Sequence, residues 1–116
     1  MQIKQTIEQN LAQLTFRGDL LGEPDGTIVR QRIHDLVAGN VKHVVIDLGA
    51  VQHINSAGLG ALVAALTTMR KSGGDIRLAR VGDNVQNILM ITRLVRIFDT
   101  YDSVEEAQKD FRIPAS

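Results

Sequence analysis

The chain has 116 residues, of which 44% are apolar, and its formal net charge is zero. This length fits one domain with a core that needs neither disulfides nor a metal, and the absence of cysteine excludes thiolate sites. The balanced charge argues against a nucleic-acid or anionic-membrane partner held by bulk electrostatics. The longest apolar runs fall far short of the ~20 residues that span a bilayer, and the first residues lack a signal-peptide core. We therefore expect a cytoplasmic protein with no direct membrane insertion.

The first third of the chain predicts two strands and a helix. Alternating segments with Ile3 and Ile7, then Leu14 and Phe16, indicate paired strands separated by Gln9-Asn10. A loop at 22–26 follows. The next segment has apolar residues at helical spacing and a Gly39-Asn40 stop signal; these residues are Val29, Ile33, Leu36 and Val37.

The middle of the chain predicts a buried strand followed by an amphipathic helix. The β-branched run 44–46 suits a central strand that is covered on both faces. The helix is expected from about Ala57 to Lys71, ended by Gly73-Gly74. Its predicted inward residues are Leu59, Leu62, Val63 and Leu66.

The last third predicts a strand, a helix, a strand and a helix. The strand contains Ile76 and Leu78, the helix begins around Val85, and a short strand is expected from Val95 to Phe98. Ser103 and Glu106 fit a capping box for the final helix, whose buried side has Val104, Ala107 and Phe111. The predicted order is ββαβαβαβα, an α/β fold with a mixed sheet and about four helices.

The segment 55–60, Asn-Ser-Ala-Gly-Leu-Gly, is the most informative for function. It places Ser56 where a helix begins, and the first N–H groups of a helix lack partners and carry the positive end of the macrodipole. A phosphate on Ser56 would be stabilised there. A helix cap would explain Ser56 equally well, and Asn55 suits that role as much as Ser56 does.

The outer side of the same helix is predicted to carry small side chains. A rotation of 100° per residue directs four of them outward: Ala57, Ala61, Ala64 and Thr68. Such a flat face orders few side chains when a partner docks. The alternative is that this face packs under another element of the same domain.

Other chemistry has little support in the sequence. His34, His43 and His53 have no metal-binding spacing, and no cofactor is predicted. A Ser56–His53 dyad with Asp47 as orienting group is conceivable, but nothing in the spacing requires it. The start of a G-x-G-x-x-G motif at 58–60 is not completed, since Val63 occupies the third glycine position. The acids Glu23, Asp25, Asp47 and Asp99 are predicted to be solvated loop residues.

The segments 44–48 and 51–62 resemble the signature of STAS domains, named for sulphate transporters and anti-sigma factor antagonists. The resemblance extends over the whole chain, so residues 1–116 are expected to form a single STAS domain of the bacterial stand-alone type. It implies a non-enzymatic protein that binds an anti-sigma factor/serine kinase. That kinase would phosphorylate Ser56, and a metal-dependent serine phosphatase would reset the protein. The implied partner surface comprises Asn55, Ser56, Ala57, Gly58, Gly60, Ala61, Ala64, Thr68 and Leu21.

Two residues depart from the family pattern. The family usually has Asp where this chain has Asn55, and a kinase that reads that carboxylate would phosphorylate this chain slowly or not at all. Leu21 stands where an acidic residue is common, in a loop that forms part of the family's partner surface. The alternative function is a STAS accessory subunit of a lipid-transport ATPase, which docks a helix of that complex without phosphorylation. A nucleotide-binding or hydrolytic domain is the third candidate function.

Overall fold

The computed structural model describes residues 1–109 and 111. The described residues form a five-stranded sheet in the order β1-β2-β3-β4-β5. The strands are β1 Gln2–Glu8, β2 Leu11–Arg17, β3 His43–Ala50, β4 Asp75–Ala79 and β5 Asp99–Tyr101. β1 and β2 pair antiparallel, whereas the other neighbours pair parallel. The predicted mixed sheet is confirmed.

Helices cover both faces of this sheet. They are α1 Asp25–Ala38, α2 Ser56–Lys71, α3 Asp83–Ile91 and α4 Val104–Gln108. The larger core cluster joins the sheet to α1, α2 and α3, and a smaller one joins Val45 of β3 to Ala107 of α4 and to Phe111. β3 is therefore buried on both faces, as its β-branched run predicts. The element order ββαβαβαβα is confirmed.

The predicted strand from Val95 to Phe98 is wrong. Residues Leu94–Arg96 form a short 3-10 turn, and the strand begins later, at Asp99. Arg93 has a left-handed backbone (φ 63°), which ends the preceding helical segment. The turn then directs Phe98 into the core, where it is 2% exposed. The apolar residues of this segment are used in a tight turn instead of a sheet ladder.

The topology places the start of α2 at the carboxyl ends of the parallel strands. β3 is the middle strand, and its carboxyl end leads through residues 51–55 into the first turn of α2. The carboxyl ends of parallel strands are where α/β proteins commonly assemble their binding sites. Among the described residues, no helix is long and apolar enough to cross a membrane.

Candidate functional site

Asn55, and not Ser56, caps helix α2. Its backbone is extended (φ −104°, ψ −178°), and its side-chain Oδ1 accepts a hydrogen bond from the Gly58 N–H at 2.9 Å. This is the geometry of an N-cap. Ser56 is the first residue of the helix and is exposed. Because Asn55 performs the capping role, Ser56 is not needed for it and remains an exposed residue at the start of the helix.

The Asn55 side chain also holds a second segment of the chain. Its Nδ2 donates a hydrogen bond to the carbonyl oxygen of Leu21 at 2.8 Å. The Asn55 N–H donates to the Leu20 carbonyl at 3.3 Å, and Leu20 pairs with Ile54 in a parallel bridge. The segment after β2 therefore lies directly against the start of α2. We call residues 20–22 and 55–58 together the Ser56 corner.

Two glycines allow this close approach. A Cβ atom at Gly58 would stand 2.2 Å from the Leu20 carbonyl oxygen, far inside van der Waals contact. Gly22 has a φ of 116°, which favours glycine, and a Cβ built there would stand 3.7 Å from the Cβ of Ala57. The two segments of the corner thus meet through backbone atoms and small side chains.

The predicted outward face of α2 is partly wrong. Ala57 and Thr68 are exposed as expected, and Ala64 is half-buried, but Ala61 is buried at 2% exposure. The inward residues of α2 form a wider arc than the leucines alone indicate: Gly58, Leu59, Ala61, Leu62, Ala65, Leu66 and Met69. Because α1 packs beside α2 while the sheet lies beneath it, α2 is covered from two directions. The alternative, packing under another element of the domain, holds for Ala61.

A cleft between α1 and α2 borders the remaining small residues. Ala64, Ala65 and Thr68 line one side of a cavity of about 340 Å³. Residues of α1 line the other side: Thr27, Arg30, Gln31, Ile33 and His34. Predicted partner residues Ala64 and Thr68 therefore lie along a cleft, while Ala57 and Gly60 lie on the open surface near Ser56.

The conceivable Ser–His–Asp arrangement is not assembled. The His53 Nδ1 lies 3.2 Å from the Asp19 Oδ2, and the His53 N–H donates to Asp19 Oδ1 at 3.1 Å. Desolvation raises the pKa of Asp19, but the hydrogen bonds from the His53 backbone and ring outweigh it and leave that pKa below its usual value. Asp47 has Arg80 as its partner. The contact with Asp19 occupies only Nδ1 of His53, but among the described residues no hydrogen bond joins His53 to Ser56, and Asp47 is paired elsewhere, so the dyad with Asp47 as orienting group is not formed.

The prediction that Asp47 is a solvated loop acid is wrong. It lies on β3 at 5% exposure. One carboxylate oxygen accepts from the Gly49 N–H at 2.9 Å, and the other accepts from Arg80 Nη1 at 3.1 Å. This pair satisfies a buried charge beside the carboxyl end of β3. Glu23 and Asp99 are exposed, and Asp25 is half-buried in the first turn of α1.

The Ser56 corner itself is electrically neutral. None of residues 20–22 and 55–58 carries a charged side chain. The N–H groups of the first helical turn supply partial positive charge at Ser56, and the Gly58 N–H is already paired with Asn55. Among the residues that the structure describes, no group of three or more His, Asp or Glu side chains could hold a metal ion. The exposed position and the partial positive charge would favour an anionic group attached to Ser56. No catalytic group is assembled among the residues of the corner.

Sequence reasoning missed three features of this region: the Asp19–His53 pair, the Asp47–Arg80 pair and the contact between Asn55 and Leu21. Of these, only Asp47 carried a signal, because it directly follows the buried run 44–46 of a strand. The two residues of each pair are separated by more than thirty residues in the chain, so no local sequence pattern indicates that they are in contact.

Comparison with known proteins identifies the family. The model of the STAS domain matches residues 2–107, and the chain belongs to the STAS domain family. A Thermotoga maritima protein that is provisionally named an anti-sigma factor antagonist is 33% identical to this chain over 69 residues. That match covers 60% of this chain and 61% of that protein. The anti-sigma F factor antagonist of Paenibacillus polymyxa is 20% identical over 113 residues, 97% of both chains.

Solved structures share the fold. A Thermotoga maritima crystal structure superimposes with a TM-score of 0.87 at 24% identity, covering 96% of this chain and 95% of that one. The Bacillus cell fate determinant SpoIIAA in its phosphorylated form gives a TM-score of 0.76 at 12% identity, covering 96% and 100%. At these identities the likeness concerns the fold, and the fold expectation is confirmed.

Proposed function

We propose that this protein is an anti-sigma factor antagonist. Its unphosphorylated form binds an anti-sigma factor that is also a serine kinase, and phosphorylation of Ser56 ends that interaction. The observation that carries the proposal is the position of Ser56: it is exposed, its corner contains no charged residue, and it is the first residue of a helix that Asn55 already caps. Relatives with antagonist names, and an antagonist fold solved in a phosphorylated form, support it.

The start of α2 would stabilise a phosphate on Ser56. The modification adds roughly −1.5 to −2 charges at neutral pH. The first N–H groups of a helix and its macrodipole favour an anion at this place. The corner also carries no carboxylate that would repel the phosphate. The fold is therefore expected to survive modification without rearrangement.

Loss of binding then follows from the interface and not from unfolding. The proposed partner surface consists of Ser56 and the residues around it that are at least partly exposed: Leu21, Asn55, Ala57, Gly60, Ala64 and Thr68. A partner that closes over this neutral surface has to desolvate the phosphate, and an unpaired buried charge is costly. Gly58 and Ala61 act beneath this surface, as buried packing residues.

The remaining components of the proposed cycle act on this chain from outside. A serine phosphatase restores the binding form by hydrolysing the Ser56 phosphate. In the described part of the chain, Asp47 is paired with Arg80 and no hydrogen bond joins His53 to Ser56, so we assign this chain the role of the modified protein and leave the catalysis to its partners. The cycle runs in the cytoplasm, where sigma factors act.

The test uses the anti-sigma factor/serine kinases of the source genome, purified one at a time. Each is incubated with the protein and ATP, and intact mass with peptide mapping locates any phosphate. Phosphate on Ser56, together with loss of binding in the modified form, is expected. Ser56→Ala should bind and resist modification, whereas Ser56→Glu should imitate the loss only in part, because a carboxylate has less charge and fewer oxygens.

Two outcomes reject the proposal. One is a protein that acquires no phosphate on Ser56 with any of these kinases. The other is a phosphorylated form that binds as tightly as the unmodified protein. Either result would favour the accessory subunit of a lipid-transport ATPase, whose interaction needs no phosphate.

A further inference from the structure

Leu21 projects a large apolar side chain from the Ser56 corner. It is 51% exposed, while its neighbour Leu20 is fully buried. We infer that Leu21 is the specificity-determining residue of the Ser56 surface and that Asn55 is the positioning residue that holds it there. The partner accordingly presents an apolar recess to Leu21. This inference rests on the proposed function and adds the chemistry of the partner.

Asn55 joins the two segments because it has both an acceptor and a donor. Its Oδ1 accepts from the Gly58 N–H, and its Nδ2 donates to the Leu21 carbonyl. A serine or aspartate in this place can cap the helix equally well. An ionised aspartate, however, is an acceptor only, so it could not make the second bond. The amide is the feature of Asn55 that the contact with Leu21 requires.

The backbone on both sides of Leu21 is restrained as well. Leu20 is anchored by the bridge to Ile54 and by the hydrogen bond from its N–H to the His53 carbonyl at 3.0 Å. Gly22 lies against Ala57, and its carbonyl accepts from the Gly26 N–H at 2.9 Å. The Leu21 side chain is thus presented by a fixed backbone. A preorganised group loses little conformational entropy on binding, which makes it an effective anchor.

The chemistry of the recess follows from the corner. Half-exposed leucine beside uncharged neighbours offers nothing to a cationic pocket, whereas burial of its side chain in an apolar recess is favourable by about 25 cal/mol per Å². The two acids that flank the segment, Asp19 and Glu23, have partners within the chain in His53 and Arg30. We therefore expect the partner to recognise Leu21 by shape complementarity and burial of apolar area. Recognition of charge should occur only at Ser56.

The role of Asn55 is tested without a partner. In Asn55→Asp the carboxylate keeps the bond from Gly58 and faces the Leu21 carbonyl without a proton to share. We expect the amide of Gly58 to stay protected from hydrogen exchange and the nuclear Overhauser contact between Gly22 and Ala57 to be lost. Ser103→Ala, which removes the corresponding cap of α4, is the matched control and should keep that contact. A retained Gly22–Ala57 contact in Asn55→Asp would overturn the positioning role.

The role of Leu21 is tested by titration calorimetry with the same purified anti-sigma factor/serine kinases. Leu21→Ala should weaken binding on the order of tenfold, and Leu21→Glu should weaken it more, because a charge enters the recess. Ile91→Ala is the control, since Ile91 is 80% exposed on α3, and it should bind within about twofold of the unmodified chain. Asn55→Asp should also weaken binding, although residue 21 remains leucine, because the hydrogen bond that holds the Leu21 backbone is lost.

The outcomes separate the inference from the function on which it rests. If the unmodified chain binds none of the kinases, the proposed function fails and the inference falls with it. If the unmodified chain binds and Leu21→Ala binds equally well, only the inference is overturned. Tighter binding by Leu21→Glu would also overturn it, because the recess would then be basic.

Discussion

Gly58, in the first turn of α2, lies directly beneath the carbonyl group of Leu20. An added Cβ atom would stand 2.2 Å from that oxygen and 2.9 Å from the carbonyl carbon. Both are backbone atoms, which are held by the pairing of Leu20 with Ile54, so they cannot give way as a flexible side chain would. The glycine is required by its neighbour, although it lies in a helix.

We expect Gly58→Ala to lower the free energy of unfolding by about 1–3 kcal/mol, because the methyl group forces the two segments apart. Gly60→Ala is the matched control: Gly60 is exposed in the same helix, and a Cβ there meets nothing within 4 Å. It should raise the unfolding free energy by about 0.5–1 kcal/mol through helix propensity. Urea unfolding of the three proteins measures both effects, and equal stabilities would refute the packing argument.

Ala61 and Ala57 distinguish the core of α2 from its surface. Ala61→Glu places a carboxylate in a buried position and should lower the unfolding free energy by about 3 kcal/mol or more. Ala57→Glu, on the exposed first turn, should change stability by only about 0.5 kcal/mol. It should nevertheless weaken binding of the kinase partner, because it adds a negative charge next to Ser56. Thermal unfolding and calorimetric titration are the measurements, and a stable Ala61→Glu protein would contradict the burial of that residue.

The Asp47–Arg80 pair predicts unequal effects of two substitutions. Arg80→Ala leaves the buried carboxylate with only the Gly49 N–H as partner, and we expect a loss of about 1–2 kcal/mol. This value allows for the exposure of the Arg80 side chain, which is 56% accessible, so that solvent screens its charge. Asp47→Asn in the Arg80→Ala background removes the unpaired charge and should recover part of the loss. A double-mutant cycle monitored by urea unfolding checks this, and additive effects would show that the pair is uncoupled.

His43 should make stability depend on pH. Desolvation and the positive charge of Arg77 lower the pKa of His43, while Asp75 opposes them. The unfolded chain therefore takes up this proton more readily than the folded one, so the stabilising contribution is fully present above roughly pH 6.5 and declines as pH falls toward the folded-state pKa. The His43 ring also stacks on Phe111, with centroids 4.8 Å apart.

The measurement is the unfolding free energy of the protein and of His43→Phe between neutral and mildly acidic pH. We expect the substitution to flatten the decline on the acidic side. His34→Gln serves as the control, since His34 is exposed on α1, and it should leave the curve unchanged. A decline of the same steepness in His43→Phe would exclude His43 as its source.

Local patterns in the sequence determined the element order, the buried central strand and the position of the Ser56 corner. Periodicity and capping involve residues that are close in the chain, so these patterns can be recognised from the sequence alone. The two segments that resemble the STAS signature, 44–48 and 51–62, are likewise close together in the sequence. The start of the helix at Ser56 was therefore predictable to within one residue, and the strand containing Val44 was located correctly, although it extends four residues beyond the predicted run, to Ala50.

Only the tertiary structure showed which side chains meet. Ala61 is buried because α1 and the sheet cover α2 from two directions, which a projection of one helix cannot reveal. Asn55 and Leu21 are 34 residues apart in the chain, and Asp47 and Arg80 are 33 residues apart. Such contacts depend on the relative placement of whole strands and helices, and that placement is set by the packing of the entire core. The sequence located Ser56, whereas the fold alone brought Leu21 beside it.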